Sequence, residues 1–524
     1  MLPTVALDAE AATIDKTDSS DRIIDSPPEL GFRRLLRHSA AFAVGDVLAR
    51  GFGLLLLPVY VAFLRPEDFG TLAVSGVVAS IATVLFGCGL TGASLRFYYH
   101  LDETTRRQFY GTVWLFLLLA PGLFLAVVES LHGAPFNWLL REIPYAPYIR
   151  LALWTAYSTV VLLAIPQEVL RASSNSAGYA ALNAGQFAVA AGLTVWFLVI
   201  LRAGVEGALW ARLGGVVIVG LVGIISLRSV ASFSLNAGAL IMALAYGLPL
   251  VPHFLAHWVL SASDRIILAK FVSLADVGVY SVGYQIGSVM MLFATAGNNS
   301  LIPLFGRLDL VKHKEVAGLM RIITYYVLAL TFLALAIAMF AEEFIRLLPA
   351  SYGRAASVVP WVVFGYLFMA LYYPAIDVLN LVLGDTKRVA ATTVLAAGVN
   401  ITLNIILVPR YGMIAAAVTT TITYMLAGLL VFSLARSFPL PYEYGRLAAI
   451  LAAGVAAYAF SSLAAVHSYV VRIPIKGLAM LGFLILLWVT GFFLEPERTA
   501  VRRLRTVLYG SVQTAFRRLR GAIS

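Results

Sequence analysis

The sequence predicts an all-helical protein that crosses a membrane many times. Of its 524 residues, 60% are hydrophobic and 12% are charged, and the mean hydropathy is +0.88. Soluble domains carry about twice that share of charged residues, which they need to coat their surface. Fourteen mostly apolar stretches are long enough to span a bilayer. Each must be a helix, because unpaired backbone groups are too costly in hydrocarbon.

The predicted spans divide the chain into five parts. Residues 1–38 are polar and lack the apolar core of an export signal, so we expect a disordered cytoplasmic tail. Residues 39–235 and 236–436 each contain six spans, residues 437–494 add two further helices, and residues 495–524 form a basic tail. The fourteen spans are 39–63, 71–95, 109–130, 149–166, 178–201, 205–227, 236–260, 277–304, 322–345, 355–383, 389–409, 412–435, 446–466 and 471–494.

The distribution of charge predicts that both termini are cytoplasmic. An even number of spans places them on one side of the membrane, and more lysines and arginines fall on that side. The net charge of +11 is therefore explained by anionic lipid, and we expect no nucleic acid partner. The last segment places Leu504, Leu508, Val512 and Phe516 on one helical stripe among arginines, which predicts an amphipathic helix on the inner leaflet. The single cysteine, Cys88, excludes a disulfide framework.

The two six-span parts share an internal repeat. The segment FLRPEDFGTLAV from Phe63 matches FVSLADVGVYSV from Phe271 at an offset of 208 residues, and the same offset aligns Arg202 with Arg410. Six spans is an even number, so the halves point the same way and their pseudo-twofold axis follows the membrane normal. Two such halves around a cleft suit alternating access, which predicts a transporter. The further matched pairs are Asp68 and Asp276, Gly70 and Gly278, Val74 and Val282, Gly204 and Gly412, and Ala208 and Ala416.

Charged residues inside a span are costly, so they indicate where a water-filled cleft lies. Asp46 and Arg50 lie on one face of the first span, close enough to pair. One interpretation is an ion pair that only neutralises itself. We favour the other, in which Arg50 binds phosphate through two hydrogen bonds and Asp46 orients it. The repeat aligns these residues with Phe254 and Trp258, so the two halves are chemically unequal.

Two further charged residues are candidates for the same cleft. Arg212 in the sixth span is a second guanidinium that either binds substrate or pairs with nearby Glu206 at a helix end. Asp377 is a candidate for binding a coupling proton or sodium ion, with capping of the tenth helix near its inner end as the alternative. Apart from such an ion, we expect no cofactor.

His253 and His257 lie one helical turn apart in the seventh span, after two prolines that are expected to kink it. They either line a wet cavity or are satisfied in the core. A zinc site with this spacing needs a third ligand and usually a general-base glutamate, neither of which the sequence offers. We therefore expect no metal.

Four stretches carry a resemblance to a known family. They are GDVLARGFGLLLLPVYVAFLRPEDFG from Gly45, GCGLTGASLRFYY around Arg96, SDRIILAKFVSLADVGVYSVGYQIGS from Ser263, and YGMIAAAVTTTITY from Tyr411. In these the chain resembles the polysaccharide transporter family, the Wzx-type O-antigen and exopolysaccharide flippases of the multidrug/oligosaccharidyl-lipid/polysaccharide exporter superfamily.

The resemblance implies a V-shaped bundle of two lobes in the bacterial inner membrane. It also implies that the protein is not an enzyme but moves an undecaprenyl-diphosphate-linked oligosaccharide from the cytoplasmic to the outer leaflet. The first and seventh spans of such proteins line the cleft, which singles out Arg50, Asp46, His253 and His257, with Arg212 as an addition. The two extra spans are implied to offer a groove for the polyprenyl tail. A polysaccharide polymerase and glycosyltransferases are the implied protein partners of a monomer.

Two other functions fit parts of the sequence. An ion-coupled drug or organic cation antiporter would share the architecture, but its site should be acidic, whereas the central spans offer more guanidinium and imidazole groups. A membrane polymerase or glycosyltransferase commonly needs a sizeable exposed loop, and the longest predicted external connection is only residues 131–148. A passive channel fits least, because no filter-like repeat is present.

Overall fold

The described part of the chain is helical throughout. The computed structural model describes residues 54–140, 142–227, 232, 235–305, 313–382, 385–435, 441–463, 469–495 and 497. Those residues contain no strand, and twelve of their helices are long and apolar enough to cross a membrane. The prediction of an all-helical, multi-pass membrane protein is therefore confirmed.

The helices follow one another with short connections. In chain order they are α1 (Leu54–Phe63), α2 (Pro66–Gly87), α3 (Leu90–Tyr98), α4 (Glu103–Ser130), α5 (Ala134–Leu139), α6 (Tyr145–Ala172), α7 (Ser176–Ile200), α8 (Gly204–Leu227), α9 (Ala237–Phe271), α10 (Leu274–Phe305), α11 (His313–Met339), α12 (Ala341–Ile345), α13 (Val359–Val382), α14 (Thr386–Ala435), α15 (Tyr444–Ser462) and α16 (Tyr469–Val489).

The count of fourteen spans stays a prediction. The first predicted span reaches the described residues only as α1, whose ten residues are too short to cross a bilayer alone. Predicted spans eleven and twelve form the single element α14, which contains Pro409 and changes direction at Gly412, where φ is 61°. The first and last tails, including the stripe of the predicted amphipathic helix, lie outside the described residues.

The predicted seventh span is shorter than the helix in the structure. It was expected to stop at residue 260, whereas α9 continues to Phe271. The charged side chains of Asp264 and Arg265 lie beyond the predicted end and are buried within the bundle. Pro249 lies within a short 3-10 segment, Leu248–Leu250, and Pro252 follows it in the first turn of the next α-helical part, so this segment tightens the helix without ending it.

The two halves of the sequence meet at equivalent residues. A Cβ atom added to Gly70 would lie 2.0 Å from the Leu274 carbonyl oxygen and 3.2 Å from Gly278 N. A Cβ added to Gly278 would lie 1.9 Å from the Pro66 carbonyl oxygen and 3.0 Å from Gly70 N. Only glycine allows the backbones of α2 and α10 to approach so closely.

Other residues that the repeat pairs share a local geometry. Gly204 begins α8 with φ of 58°, and its counterpart Gly412 has φ of 61°. Asp68 accepts a hydrogen bond from Arg65 N at the start of α2, and its counterpart Asp276 sits in the first turn of α10. Glycine and acidic residues are favoured at these respective positions by backbone conformation and by the helix dipole.

The last two helices pack on α11 through a separate hydrophobic cluster. Its fully buried members include Phe483 of α16, Ile450 of α15 and Met320 of α11. At one end of the molecule Arg472 binds Glu342 at 2.9 Å, and Lys476 binds Glu343 at 2.6 Å. These ion pairs attach the start of α16 to the segment that follows α11.

A second set of ion pairs attaches the opposite end of α16. Arg446 at the start of α15 binds Glu443 at 2.8 Å and Glu497 at 3.1 Å. Arg321 near the start of α11 lies 3.9 Å from both carboxylates. The helix pair α15 and α16 is therefore held to α11 at both ends.

Candidate functional site

His253 and His257 lie one turn apart on α9, on the shared face that their spacing predicted, and both side chains are exposed. Both line a cavity of about 190 Å³ between α9, α13 and α14. The cavity offers aromatic, hydroxyl and amide groups next to the imidazoles, a composition that can hydrogen-bond a hydroxylated ligand. Its other polar or aromatic lining residues are Tyr372, Tyr373, Asn380, Thr392, Thr393 and Tyr424.

Arg212 lies half-buried on α8 and reaches the surface of α2. Its Nη1 atom is 3.0 Å from the position that a Cβ on Gly76 would occupy, so the missing side chain of Gly76 makes room for the guanidinium. The alternative interpretation, an ion pair with Glu206, is not formed in the described structure. Glu206 instead accepts a hydrogen bond of 3.3 Å from Trp210 Nε1, one turn along the same helix. The side chains of residues 206 and 212 are too far apart in helical register to meet easily.

The face of α2 that holds Arg212 also contacts α9. Ser80, one turn after Gly76, accepts a hydrogen bond of 2.8 Å from Trp258 Nε1. Trp258 is adjacent to His257 in α9, so α2 brings the guanidinium of Arg212 toward the imidazole-bearing helix. Trp258 is the residue that the repeat aligns with Arg50. Both Arg50 and Asp46 lie outside the described residues, and their proposed role stays a prediction.

Asp377 is buried at the last residue of the α-helical part of α13, and the chain continues as a π-helical turn to Val382. Both of its proposed roles, capping this helix and binding a coupling ion, stay predictions. The side chain of Asn298 from α10 interacts with its carboxyl group. One carboxyl oxygen of Asp377 and the amide oxygen of Asn298 are buried, and neither has a hydrogen-bond partner among the described residues. Two adjacent acceptors of this kind can share a proton or a small cation.

A buried ion pair lies in α9 that was not predicted from the sequence. Asp264 and Arg265 are 3% and 11% exposed in their side chains, and Arg265 Nη1 donates to Asp264 Oδ1 at 2.9 Å. The Tyr280 hydroxyl donates to the other carboxyl oxygen of Asp264. The guanidinium also lies 3.9 Å from the ring centre of Tyr284. The available signal was the helical pattern of α9, which continues through this charged dipeptide into the apolar residues that follow.

This buried cluster fixes α9 against its neighbours. The Tyr284 and Tyr366 hydroxyls are 2.8 Å apart, which extends the polar contacts from α9 through α10 to α13. A buried charge is tolerated only when it is paired and hydrogen-bonded, and here both conditions are met. The cluster therefore positions the helix that carries His253 and His257.

The site combines cationic, aromatic and hydroxyl groups. Among the described residues, no group of three or more His, Cys, Asp or Glu side chains could hold a metal ion. Arg212 can bind an anion, and the cavity beside His253 and His257 can accept hydroxyl groups. The arrangement is suited to binding an anionic, hydroxylated molecule.

Comparison with known families identifies two matching models. One, described as polysaccharide biosynthesis protein, matches residues 35–309, and the other, described as MatE, matches residues 249–406. The succinoglycan biosynthesis transport protein ExoT of Rhizobium meliloti is 25% identical over 279 residues, which cover 52% of this chain and 53% of that protein. An uncharacterized membrane protein of Haemophilus influenzae is 22% identical over 277 residues, or 51% of this chain and 64% of that protein. The chain thus matches about half the length of the first of these curated relatives.

Solved structures share the fold. The lipid II flippase MurJ in an inward closed conformation has a TM-score of 0.70 at 13% identity, covering 86% of this chain and 98% of that chain. A point mutant of the MATE transporter VcmN from Vibrio cholerae has a TM-score of 0.54 at 20% identity, covering 78% of this chain and 98% of that chain. At these identities the likeness shows a common fold of MATE and MurJ type and nothing about the ligand.

Proposed function

Because the chain belongs to the polysaccharide biosynthesis protein family, we propose that it is a flippase for a lipid-linked oligosaccharide. Its substrate would be an undecaprenyl-diphosphate-linked glycan, moved from the cytoplasmic to the outer leaflet of the inner membrane. The observation that carries this proposal is the guanidinium of Arg212 on the surface of α2, close to a helix that exposes His253 and His257. A diphosphate needs such a cation, and a glycan needs hydrogen-bonding and aromatic groups beside it.

Alternating access would move the diphosphate and glycan of the substrate from one leaflet to the other. The two halves meet through close backbone contacts, so opening on either side means separating the helices that make these contacts. Arg212, together with Arg50 from the first span, would hold the diphosphate through bidentate hydrogen bonds. The residues around the 190 Å³ cavity would bind sugar, and the polyprenyl chain would stay in lipid. In this scheme both termini are cytoplasmic and the protein acts as a monomer beside a polymerase and glycosyltransferases.

Energy for the cycle would come from a proton or a sodium ion at Asp377. The unpartnered oxygens of Asp377 and Asn298 support this role, because a proton or cation between them would satisfy both. Their position in the second half would let ion binding change the packing of α10 against α13. Asp377→Asn should therefore retain substrate binding and lose transport.

The experiment is complementation of a strain that lacks this gene. Surface polysaccharide and accumulated lipid-linked oligosaccharide are measured with variants expressed at equal membrane levels. We expect Arg212→Gln and Arg50→Ala to lose at least about tenfold in polymer output, since each removes a charge-assisted contact to the diphosphate. Arg388→Gln is the matched control, because Arg388 is an exposed arginine paired with Asp385 at 3.1 Å. Normal output from the Arg212 and Arg50 variants would refute the proposal.

A second candidate is an ion-coupled antiporter of drugs or organic cations. The MatE family match over residues 249–406 and the buried carboxyl of Asp377 favour it. Drug resistance assays on the same deletion strain separate the two functions. An increase in drug sensitivity that wild-type protein reverses, with unchanged surface polysaccharide, would support the antiporter.

A further inference from the structure

The short helix α3 belongs to the first half of the chain and packs against the second half at one end of the molecule. It follows a sharp turn at Cys88 and Gly89, whose φ values are 46° and 68°. A Cβ on Gly89 would lie 2.1 Å from the Gly247 carbonyl oxygen, so the turn touches α9 directly. One turn further on, a Cβ on Gly92 would lie 3.1 Å from Leu250. Helix α3 is therefore docked on the first half of α9.

Arg96 lies near the end of α3 and points across this contact. Its guanidinium carbon is 4.8 Å from the ring centre of Tyr246 in α9, and the residue is exposed. Phe97 supports the same ring in an edge-on contact with centres 6.0 Å apart. Within the residues that the structure describes, no carboxylate lies within ion-pairing distance of Arg96. An aromatic face is its partner, and such a contact leaves the hydrogen-bond donors of the guanidinium available.

The neighbouring carboxylates are already engaged. Asp102 caps α4 by accepting from the backbone N–H groups of Thr104 and Thr105. The side chain of Thr105 foremost, and then these backbone N–H groups, lower the pKa of Asp102. Glu103 lies 3.9 Å from Arg107. Because these two acids have other partners, the positive charge at the end of α3 is not neutralised by the carboxylates that follow it in sequence.

A second guanidinium lies on the next helix. Arg106 of α4 stacks on Tyr98 at 4.8 Å, and its Nε atom is buried without a hydrogen-bond partner among the described residues. Helix α3 lies between the end of span α2 and the start of span α4, so both arginines are at the level of lipid headgroups. The predicted orientation places this end of the molecule on the cytoplasmic side.

We propose that Arg96, supported by Arg106, forms a second phosphate-binding site at the cytoplasmic mouth between the halves. This site would capture the diphosphate of the lipid-linked substrate before it reaches Arg212, and it therefore rests on the proposed function. When the halves separate at this end, Arg96 leaves Tyr246, and its guanidinium binds two phosphate oxygens instead. Closure returns the ring to the guanidinium and displaces the phosphate.

The test measures ligand binding by the full-length protein in phosphatidylcholine nanodiscs. The probes are undecaprenyl diphosphate, neutral undecaprenol and phosphatidylglycerol. Binding is measured in an Arg50→Ala and Arg212→Gln background, so that the central site contributes little. We expect Arg96→Gln to raise the Kd for undecaprenyl diphosphate about tenfold, Arg96→Lys to raise it less, and Arg107→Gln to leave it unchanged. Arg107 is the matched control because it lies at the same depth and has a carboxylate partner.

The outcomes separate this inference from the proposed function. Equal affinity of the Arg96→Gln and parent proteins for undecaprenyl diphosphate would overturn the inference. Equal loss of undecaprenol binding would also overturn it, because that loss would reflect the tail or the fold. If phosphatidylglycerol competes as well as undecaprenyl diphosphate, the site binds general anionic lipid, and its role in capturing the substrate is rejected. Failure of wild-type protein to bind undecaprenyl diphosphate at all would reject the proposed function as well.

Discussion

Gly70 and Gly278 are separated by 208 positions in the sequence and lie with their backbones in contact in the structure. A side chain on Gly70 would collide with the Leu274 carbonyl group, and one on Gly278 would collide with the Pro66 carbonyl group. The contact joins α2 to α10 and closes one end of the boundary between the two halves. A pair of glycines that the repeat predicts to be equivalent is thus also the place where the halves approach most closely among the contacts described above.

Adding a methyl group at this contact should force the halves apart. In Gly70→Ala the new Cβ would lie 2.0 Å from a backbone oxygen, which cannot move without shifting the helix. Overpacking of this kind costs about 1 to 3 kcal/mol. We expect a lower melting temperature in detergent and reduced transport. Gly87→Ala on the same helix is the control, because nothing lies within 4 Å of its Cβ position. Equal behaviour of the two variants would contradict the prediction.

The buried ion pair of α9 gives a second prediction. Asp264→Asn removes the charge that compensates Arg265 while keeping the shape of the side chain. Breaking one partner of a buried pair costs about 3 kcal/mol or more, because the remaining charge stays buried. We expect strongly reduced thermal stability of the purified protein. Asp385→Asn is the matched control, since its pair with Arg388 is partly exposed, at 28% and 59% of the two side chains, and is worth about 1 kcal/mol or less. A loss no larger than the control would argue against the assigned burial.

The attachment of α16 gives a third prediction. Lys476 is 8% exposed and holds Glu343, which is 16% exposed, at 2.6 Å. Lys476→Met keeps the length of the side chain and leaves the carboxylate unpaired. We expect α16 to detach at this end, measured as faster protease cleavage in the connection between α15 and α16. Arg346→Gln is the control, because its pair with Glu342 is half-exposed on both sides. An unchanged cleavage rate would show that the apolar contacts alone hold the helix.

The opposite end of α16 should respond to pH. Burial of Glu497 by itself would raise its pKa, but the Leu494 N–H, the Tyr325 hydroxyl and the guanidiniums of Arg446 and Arg321 outweigh it and lower the pKa. A lowered pKa in the folded state means that the stabilisation is present above the unfolded value of about 4.3 and is lost as the pH falls through the folded value.

The measurement compares wild-type protein with Glu497→Gln. The difference between their melting temperatures should be constant from neutral pH down to about pH 5 and shrink below about pH 4.3. It shrinks because Glu497 of the wild-type protein takes up a proton there, whereas the glutamine of the variant does not titrate. Subtracting the variant removes the contribution of the other carboxylates. A difference that does not change with pH would contradict the role of Glu497.

The sequence was sufficient for the parts of the fold that depend on composition and local pattern. Apolar stretches predicted the helices, and the repeat predicted that Gly70 and Gly278 are equivalent. The pairing of Asp264 with Arg265 was missed, because two adjacent charges indicate a connection unless their burial is known. The bond between Lys476 and Glu343 joins residues 133 positions apart, and no local pattern indicates such a partner.

Some features of the candidate site were predictable from local sequence, and others depended on contacts between distant residues. The spacing of His253 and His257 was enough to place them on one face of α9, and the structure adds the cavity beside them. Arg212 was recognised as a charge inside a span, but its access to α2 depends on the absence of a side chain at Gly76. Arg96 was part of a family-like stretch without an assigned role, because its partner Tyr246 belongs to the other half.

Ion pairs at both ends of α16 also decide how the protein meets the bilayer. The helix exposes Leu478, Leu481, Ile485 and Val489 along one side, and its anchors to α11 keep that stripe turned toward acyl chains. The hydrocarbon footprint of the second half is therefore wider than that of the first. Hydrophobic mismatch acts in proportion to the perimeter in contact with lipid. A thicker or thinner bilayer should therefore act unequally on the two halves and bias the rocking motion that the proposed alternating access requires.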